Sequence, residues 1–125
     1  MMKSLGEAEF EIMQVIWDAK RSVTSSYVLE KLKERRKWQL STVMTSLSRL
    51  SDKGFVMCDR SDGANKYFAM ISENDYKAHE SKNFLERIYD NSIQNLITTL
   101  YSNKVIKEAD VKELRRFLDE LEEKQ

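Results

Sequence analysis

Apolar residues in the first third of the chain recur at helical spacing. Between Gly6 and Lys20 they fall mostly three or four positions apart, which predicts a helix with one buried face. After a break at 21–23, Thr24 or Ser25 can cap a second helix. The two apolar stripes consist of Phe10, Met13, Ile16 and Trp17, and of Val28, Leu29 and Leu32.

A third helix is predicted after the basic run that ends at Lys37. Ser41 is its expected N-cap, and Gly54 stands where the end of a helix favours a left-handed residue. The apolar positions lie at i, i+4 and i+7, and polar positions follow the opposite face at i, i+3, i+4 and i+7. The buried face is Val43, Leu47 and Leu50, and the polar face is Thr42, Thr45, Ser46 and Arg49.

Two short β-type runs follow, Phe55–Arg60 and Asn65–Ile71. Asp62-Gly63 between them predicts a tight turn with positive φ, so the runs are expected to form a hairpin. Three helices and a hairpin within about 70 residues predict a winged helix-turn-helix. In that fold the third helix enters the major groove of DNA, and the hairpin, or wing, approaches the backbone. The predicted fold class is therefore mainly α with a small β-hairpin wing.

Beyond Ile71 the spacing of apolar residues becomes helical again. One long amphipathic segment from Tyr76 to Tyr101 is followed by a break at 102–104 and a last helix. Two such helices cannot cover both of their apolar faces, so a twofold homodimer is predicted. We expect a winged-helix DNA-binding domain at residues 1–72 and a helical dimerisation domain at residues 73–125. The predicted dimerisation residues are Phe84, Ile88, Ile93, Leu96, Ile97, Leu100, Val111, Leu114, Leu118 and Leu121.

Composition favours a protein that binds rather than catalyses. Of 125 residues, 41% are hydrophobic and 34% are charged, which is enough apolar material for a core. No apolar run is long enough for a transmembrane helix, and no segment is typical of a signal peptide. The single cysteine, Cys58, and the single histidine, His79, predict no internal disulfide, no metal site and no nucleophile–base pair. We expect a soluble, cytoplasmic protein without a cofactor.

A net charge of zero conceals an uneven distribution. Residues 1–71 hold 12 Lys/Arg against 9 Asp/Glu, and residues 72–125 hold 9 against 12. Residues 24–53 carry seven bases and three acids, a local excess that would attract a polyanion. The alternative interpretation of the run at 31–37 is the solvated end of a helix. Hydroxyls and guanidinium groups reach base edges and phosphates. The predicted DNA contacts are Ser41, Thr42, Thr45, Ser46 and Arg49 on the third helix, with Arg60 and Lys66 on the wing.

The segment Trp38–Leu50, followed by Lys53–Val56, resembles the penicillinase repressor family. The pattern is Trp, three variable residues, Thr, an apolar residue, any residue, Thr, then Arg-Leu and Lys-Gly. The segments Glu7–Trp17 and Ser81–Tyr89 resemble the family's first helix and the start of its dimerisation region. Members of this family are winged-helix regulators of β-lactamase and methicillin-resistance operons.

The resemblance implies a homodimer that binds a palindromic operator and blocks transcription. It implies DNA contacts at Thr42, Thr45 and Arg49, and inactivation by a pathway in which a membrane sensor protease responds to β-lactam. The family is cut at an Asn–Phe bond in the dimerisation helices, and the matching position here is Thr99-Leu100. This sequence also has Ala64 where a wing arginine is common and Ser41 where a basic residue often opens the third helix. The alternative function is a protein–protein adaptor without sequence-specific DNA binding.

Overall fold

Six helices and one antiparallel hairpin make up residues 2–124, the part of the chain that this computed structural model describes. This composition confirms the predicted fold class. In chain order the elements are α1 (Glu7–Ala19), α2 (Ser25–Leu32), α3 (Leu40–Asp52), β1 (Val56–Asp59), β2 (Lys66–Ala69), α4 (Glu73–Tyr89), α5 (Ile93–Ser102) and α6 (Glu108–Glu123).

The chain forms two compact units, of which the first ends at Glu80 and the second begins at Ser81. The boundary predicted at 72/73 coincides with the start of α4, but the first turns of that helix belong to the first unit. The reason is Tyr76, which is 4% exposed and packs its ring 5.6 Å from Phe55. Its hydroxyl also accepts a hydrogen bond of 2.9 Å from the Leu5 amide. Tyr76 is thus a core residue, although its spacing had placed it in the tail.

The core of the first unit lies between α1, α2, α3 and the hairpin. Trp17 closes one side of it and donates its indole N–H to the Ile71 carbonyl over 2.9 Å. Val23, predicted to be part of a simple break, forms a β-bridge with Tyr67 through hydrogen bonds of 2.9 and 2.7 Å. The largest fully buried side chains are Phe55, Ile12, Met13, Leu32, Leu47, Leu50, Val23, Val28 and Val43.

The hairpin pairs β1 with β2 in the register Val56 with Ala69 and Asp59 with Lys66. Both strands are shorter than predicted, but the two turn glycines behave as expected. Gly54 has φ +81° and Gly63 has φ +82°, values that L side chains rarely adopt. Gly54 follows the end of α3, and the next residue, Phe55, is fully buried.

The second unit contains a helix break that the sequence analysis missed. The segment predicted to run from Tyr76 to Tyr101 stops at Tyr89, because Asp90 and Asn91 have φ values of 52° and 67°. Ser92 then caps α5, its hydroxyl accepting a hydrogen bond of 3.0 Å from the Asn95 amide. None of the helices between residues 2 and 124 is long and apolar enough to cross a membrane.

Candidate nucleic-acid interface

Helix α3 begins one residue before the predicted N-cap. Gln39 is extended, with φ −96° and ψ 154°, and its carbonyl accepts hydrogen bonds from the amides of Thr42 and Val43. The N-cap is therefore Gln39, and the prediction of Ser41 was wrong. Ser41 lies in the first turn of the helix and is exposed.

The two faces of α3 differ in burial as the apolar spacing predicts. Val43, Leu47 and Leu50 have no exposed surface. Of the predicted contact residues, Ser46 is half-buried and therefore lies at the edge of the exposed face. The exposed members are Ser41, Thr42, Thr45 and Arg49.

The other exposed residues of α3 are Leu40, Met44, Ser48, Ser51 and Asp52. They lie outside the predicted polar stripe, which is centred on Thr42 and Ser46. The spacing of Ser41, Thr45 and Ser48 at i, i+4 and i+7 was the available signal. The Thr45 hydroxyl donates a hydrogen bond of 2.9 Å to the Ser41 carbonyl, one turn earlier in the helix.

Carboxylates of α1 hold the chain at both ends of α3. At the C-terminal end, Lys53 Nζ lies 2.7 and 2.9 Å from the two oxygens of Glu9. Before the N-terminal end, Arg36 Nε lies 2.7 Å from Glu11 Oε2, and Arg36 Nη2 lies 3.2 Å from Glu7 Oε1. Lys53 and Arg36 are two of the seven basic residues counted at 24–53. Both are thus engaged in ion pairs that position α3.

The pKa of Glu9 reflects this arrangement. Burial by itself raises the pKa, but the hydrogen bonds from Lys53 and from the Gly6 amide outweigh it. The positive charges of Lys53 and Arg49 act in the same direction, so the pKa ends below its ordinary value of 4.5.

We predict that Glu9→Gln lowers the free energy of unfolding by about 1–2 kcal/mol at pH 7, between the values for exposed and buried ion pairs. A carboxyl whose pKa is depressed by folding stabilises above its ordinary pKa and loses this effect as the pH falls through the folded value. The difference between the two proteins should therefore shrink below pH 4.5. Urea denaturation across pH measures it. Glu7→Gln is the control, because the Glu7 side chain is 83% exposed and should change stability by less than about 0.5 kcal/mol. Equal losses for the two variants would contradict the assignment.

The wing carries one exposed cation and one that acidic residues surround. Arg60 is exposed at the end of the hairpin. Lys66 is half-buried, faces Asp59 across the hairpin, and has its Nζ 3.7 Å from Asp62 Oδ2. Hydrogen bonds from the backbone and hydroxyl of Ser61, together with the Lys66 charge, lower the pKa of Asp59. The charge of Lys66 is thus partly compensated by Asp59 and Asp62. Arg60 is therefore better placed than Lys66 to bind a phosphate.

The predicted dimerisation residues lie on helices with unburied apolar faces. No residue of α5 or α6 that the structure describes is fully buried within one chain. Phe84, Ile88, Ile93, Leu114, Leu118 and Leu121 are exposed, whereas Leu96, Ile97, Leu100 and Val111 are half-buried. The second unit therefore holds apolar surface that one chain leaves uncovered.

The predicted cleavage position lies inside a helix. Thr99 and Leu100 are both half-buried in α5, and the Thr99 hydroxyl donates to the Asn95 carbonyl over 2.9 Å. The Leu100 carbonyl accepts the Val105 amide, also at 2.9 Å. Among residues 2–124, His, Cys, Asp and Glu side chains form no group of three that could hold a metal ion.

Comparison with known proteins places this geometry among bacterial repressors. A family model described as penicillinase repressor matches residues 5–120. A methicillin resistance regulatory protein MecI from Mammaliicoccus sciuri is 27% identical over 115 residues, covering 92% of this chain and 93% of the relative. A penicillinase repressor from Bacillus licheniformis is 28% identical, covering 93% and 90%.

A solved structure is also similar to part of this chain. It is the solution structure of the monomeric form of Bacillus licheniformis BlaI in complex with the blaP half-operator. It is 29% identical, has a TM-score of 0.52, and covers 61% of this chain and 92% of the solved chain.

Proposed function

Because this chain belongs to the penicillinase repressor family, we propose that it is a homodimeric transcriptional repressor that binds a palindromic operator through α3 and the wing. One observation carries the proposal. Helix α3 turns hydroxyl side chains and Arg49 to solvent, while the apolar residues of its other face are fully buried. A recognition helix needs this division, since the core must fix the helix while its outer face reads base edges.

The proposal assigns one half-site to each first unit. The solved relative binds a half-operator as a monomer, and it is similar to 61% of this chain. A second copy would be joined through the uncovered apolar faces of α5 and α6, because twofold pairing is the common way to cover such surface. A palindromic operator then mirrors the symmetry of the dimer.

Each side chain of the interface has a distinct role in this proposal. Ser41, Thr42 and Thr45 offer hydroxyls to base edges and phosphates, and Arg49 contacts guanine or a phosphate. Arg60 contacts the phosphate backbone from the wing. Ser46 and Lys66 act at the margin, because both are half-buried.

Arg49→Ala should weaken operator binding by about 1–3 kcal/mol without unfolding the protein. The reason is the loss of an exposed guanidinium on the face of α3 that carries the other proposed contacts. Fluorescence anisotropy with a duplex selected from random sequences measures the effect. Arg115→Ala on α6 is the matched control and should bind as the unchanged protein does. A folded Arg49→Ala variant with unchanged affinity would remove Arg49 from the interface.

The same titration, repeated at several salt concentrations, separates a repressor from an adaptor. Phosphate contacts release counterions, so log affinity should fall against log salt with a slope of about one per contact. An adaptor that docks a protein would not bind selected duplexes at low salt, and that result would reject the repressor. Loss of about one unit of slope in Arg49→Ala would assign Arg49 to a phosphate, whereas an unchanged slope with altered sequence preference would assign it to a base.

We further propose that the regulated genes confer β-lactam resistance and that proteolysis in the second unit ends repression. The names of the relatives support the first part, since they are a methicillin resistance regulator and a penicillinase repressor. A cut between Thr99 and Leu100 would detach α6 from the rest of the chain. The protease of a membrane sensor pathway would first have to unwind the end of α5, because both residues lie in its hydrogen-bonded last turn.

A further inference from the structure

We propose that Leu40 and Met44 form an apolar edge of α3 that recognises the methyl groups of thymine. This inference rests on the proposed function, in which α3 enters the major groove. It adds a specificity element that the polar stripe of the sequence did not contain.

The two side chains are large and apolar, but they are exposed and do not belong to the core. Leu40 is 39% exposed and Met44 is 45% exposed. They lie one turn apart at i and i+4, so they occupy one side of the helix. Both belong to the first half of α3, and the N-terminal residues of a recognition helix are the ones that contact base edges.

The major groove offers one apolar group for such an edge. Each base pair presents donors and acceptors there, and thymine alone among the four bases adds a C5 methyl. Met44 suits this target because its unbranched thioether side chain adapts to the position of a methyl. Covering one methyl group should strengthen binding by about fourfold, from the usual free energy of burying one carbon.

The geometry also predicts the spacing of the thymines. Residues four apart on a helix are about 6 Å apart along its axis, and base pairs are stacked about 3.4 Å apart. Leu40 and Met44 therefore span at most about two base-pair steps. We expect each half-site to contain two thymine methyls within two steps of each other, beside the bases that Ser41 and Thr45 contact.

Replacing thymine by uracil tests the assignment, because it removes the methyl and leaves base pairing unchanged. A duplex selected by the full-length protein is resynthesised with uracil at each thymine of the half-site in turn. We expect two positions, one for each side chain, at which uracil weakens binding by the unchanged protein about threefold to tenfold. At one of these two positions uracil should weaken binding by Met44→Ala less than twofold, since the partner of that methyl is already absent.

Met70→Ala is the matched control. Met70 is 52% exposed but follows the hairpin, outside α3, so its variant should retain the full uracil effect. Tight binding with no uracil effect at any position would overturn this inference and leave the proposed function standing. An equal uracil effect in Met44→Ala and the unchanged protein would do the same. Failure to bind any selected duplex would overturn both proposals.

Discussion

Removing residues 81–125 should weaken binding to a full palindromic operator by about two to four orders of magnitude. The first unit holds all the predicted DNA contacts, so a fragment of residues 1–80 should still bind an isolated half-site. What it loses is the link to a second copy. Linking two binding modules raises the effective concentration at the second site, and this alone multiplies affinity by factors of this size.

The end point of the fragment matters for this experiment. A fragment ending at residue 72 would remove Tyr76, which is buried beside Phe10, Trp17 and Phe55. It would leave a cavity in the core, and weaker DNA binding could then result from unfolding. The fragment ending at Glu80 keeps this ring and matches the compact unit.

Sedimentation and DNA titration together measure the effect. We expect the full chain to sediment as a dimer and the 1–80 fragment as a monomer, with equal affinities for a half-site duplex. A fragment that dimerises, or that binds the full palindrome as tightly as the intact chain, would contradict the assignment of assembly to the second unit. Thermal unfolding of the fragment serves as the control for its integrity.

Periodicity predicts most of the first unit because local geometry and burial agree there. In α3 the apolar spacing of Val43, Leu47 and Leu50 alone identifies the buried face, and all three have no exposed surface. Gly54 and Gly63 likewise mark the turns, because few other residues adopt their positive φ without strain.

The features that were missed depend on contacts distant in sequence or on competing local signals. Tyr76 follows the helical spacing of the tail, and only its packing on rings from other elements places it in the core. The bridge between Val23 and Tyr67 joins residues that no local pattern connects. Asp90 and Asn91 were readable as a turn, but the apolar spacing on either side of them favoured one continuous segment.

The candidate site was predictable in outline and not in its charge pattern. The spacing of apolar residues identified the exposed face of α3, but it did not identify which basic side chains would be free to reach DNA. Lys53 counted among the basic residues in excess at 24–53, yet it pairs with Glu9, 44 positions earlier in the chain. Ion pairs of this kind depend on how α1 packs against α3, which the sequence of either helix does not specify.

Leu47→Ala should lower the free energy of unfolding by about 2–5 kcal/mol, the largest single-residue effect that we predict on stability. Leu47 is fully buried, and truncation leaves a cavity between α3 and the rest of the core. It lies two positions before Arg49, so the two variants test opposite faces of one helix. Urea denaturation should show a lower midpoint for Leu47→Ala and an unchanged midpoint for Arg49→Ala.

DNA affinity should distinguish Leu47→Ala from Arg49→Ala in the opposite sense to stability, with Arg49→Ala the weaker of the two. Under conditions in which Leu47→Ala is folded, its half-site affinity should match that of the unchanged protein, because the side chain does not reach solvent. Arg49→Ala should be fully folded and bind weakly. Ser48→Ala, exposed between them, should change stability by less than about 0.5 kcal/mol. A loss below about 1 kcal/mol for Leu47→Ala would mean that this face of α3 does not anchor the helix, and the division between a fixed face and a reading face would fail with it.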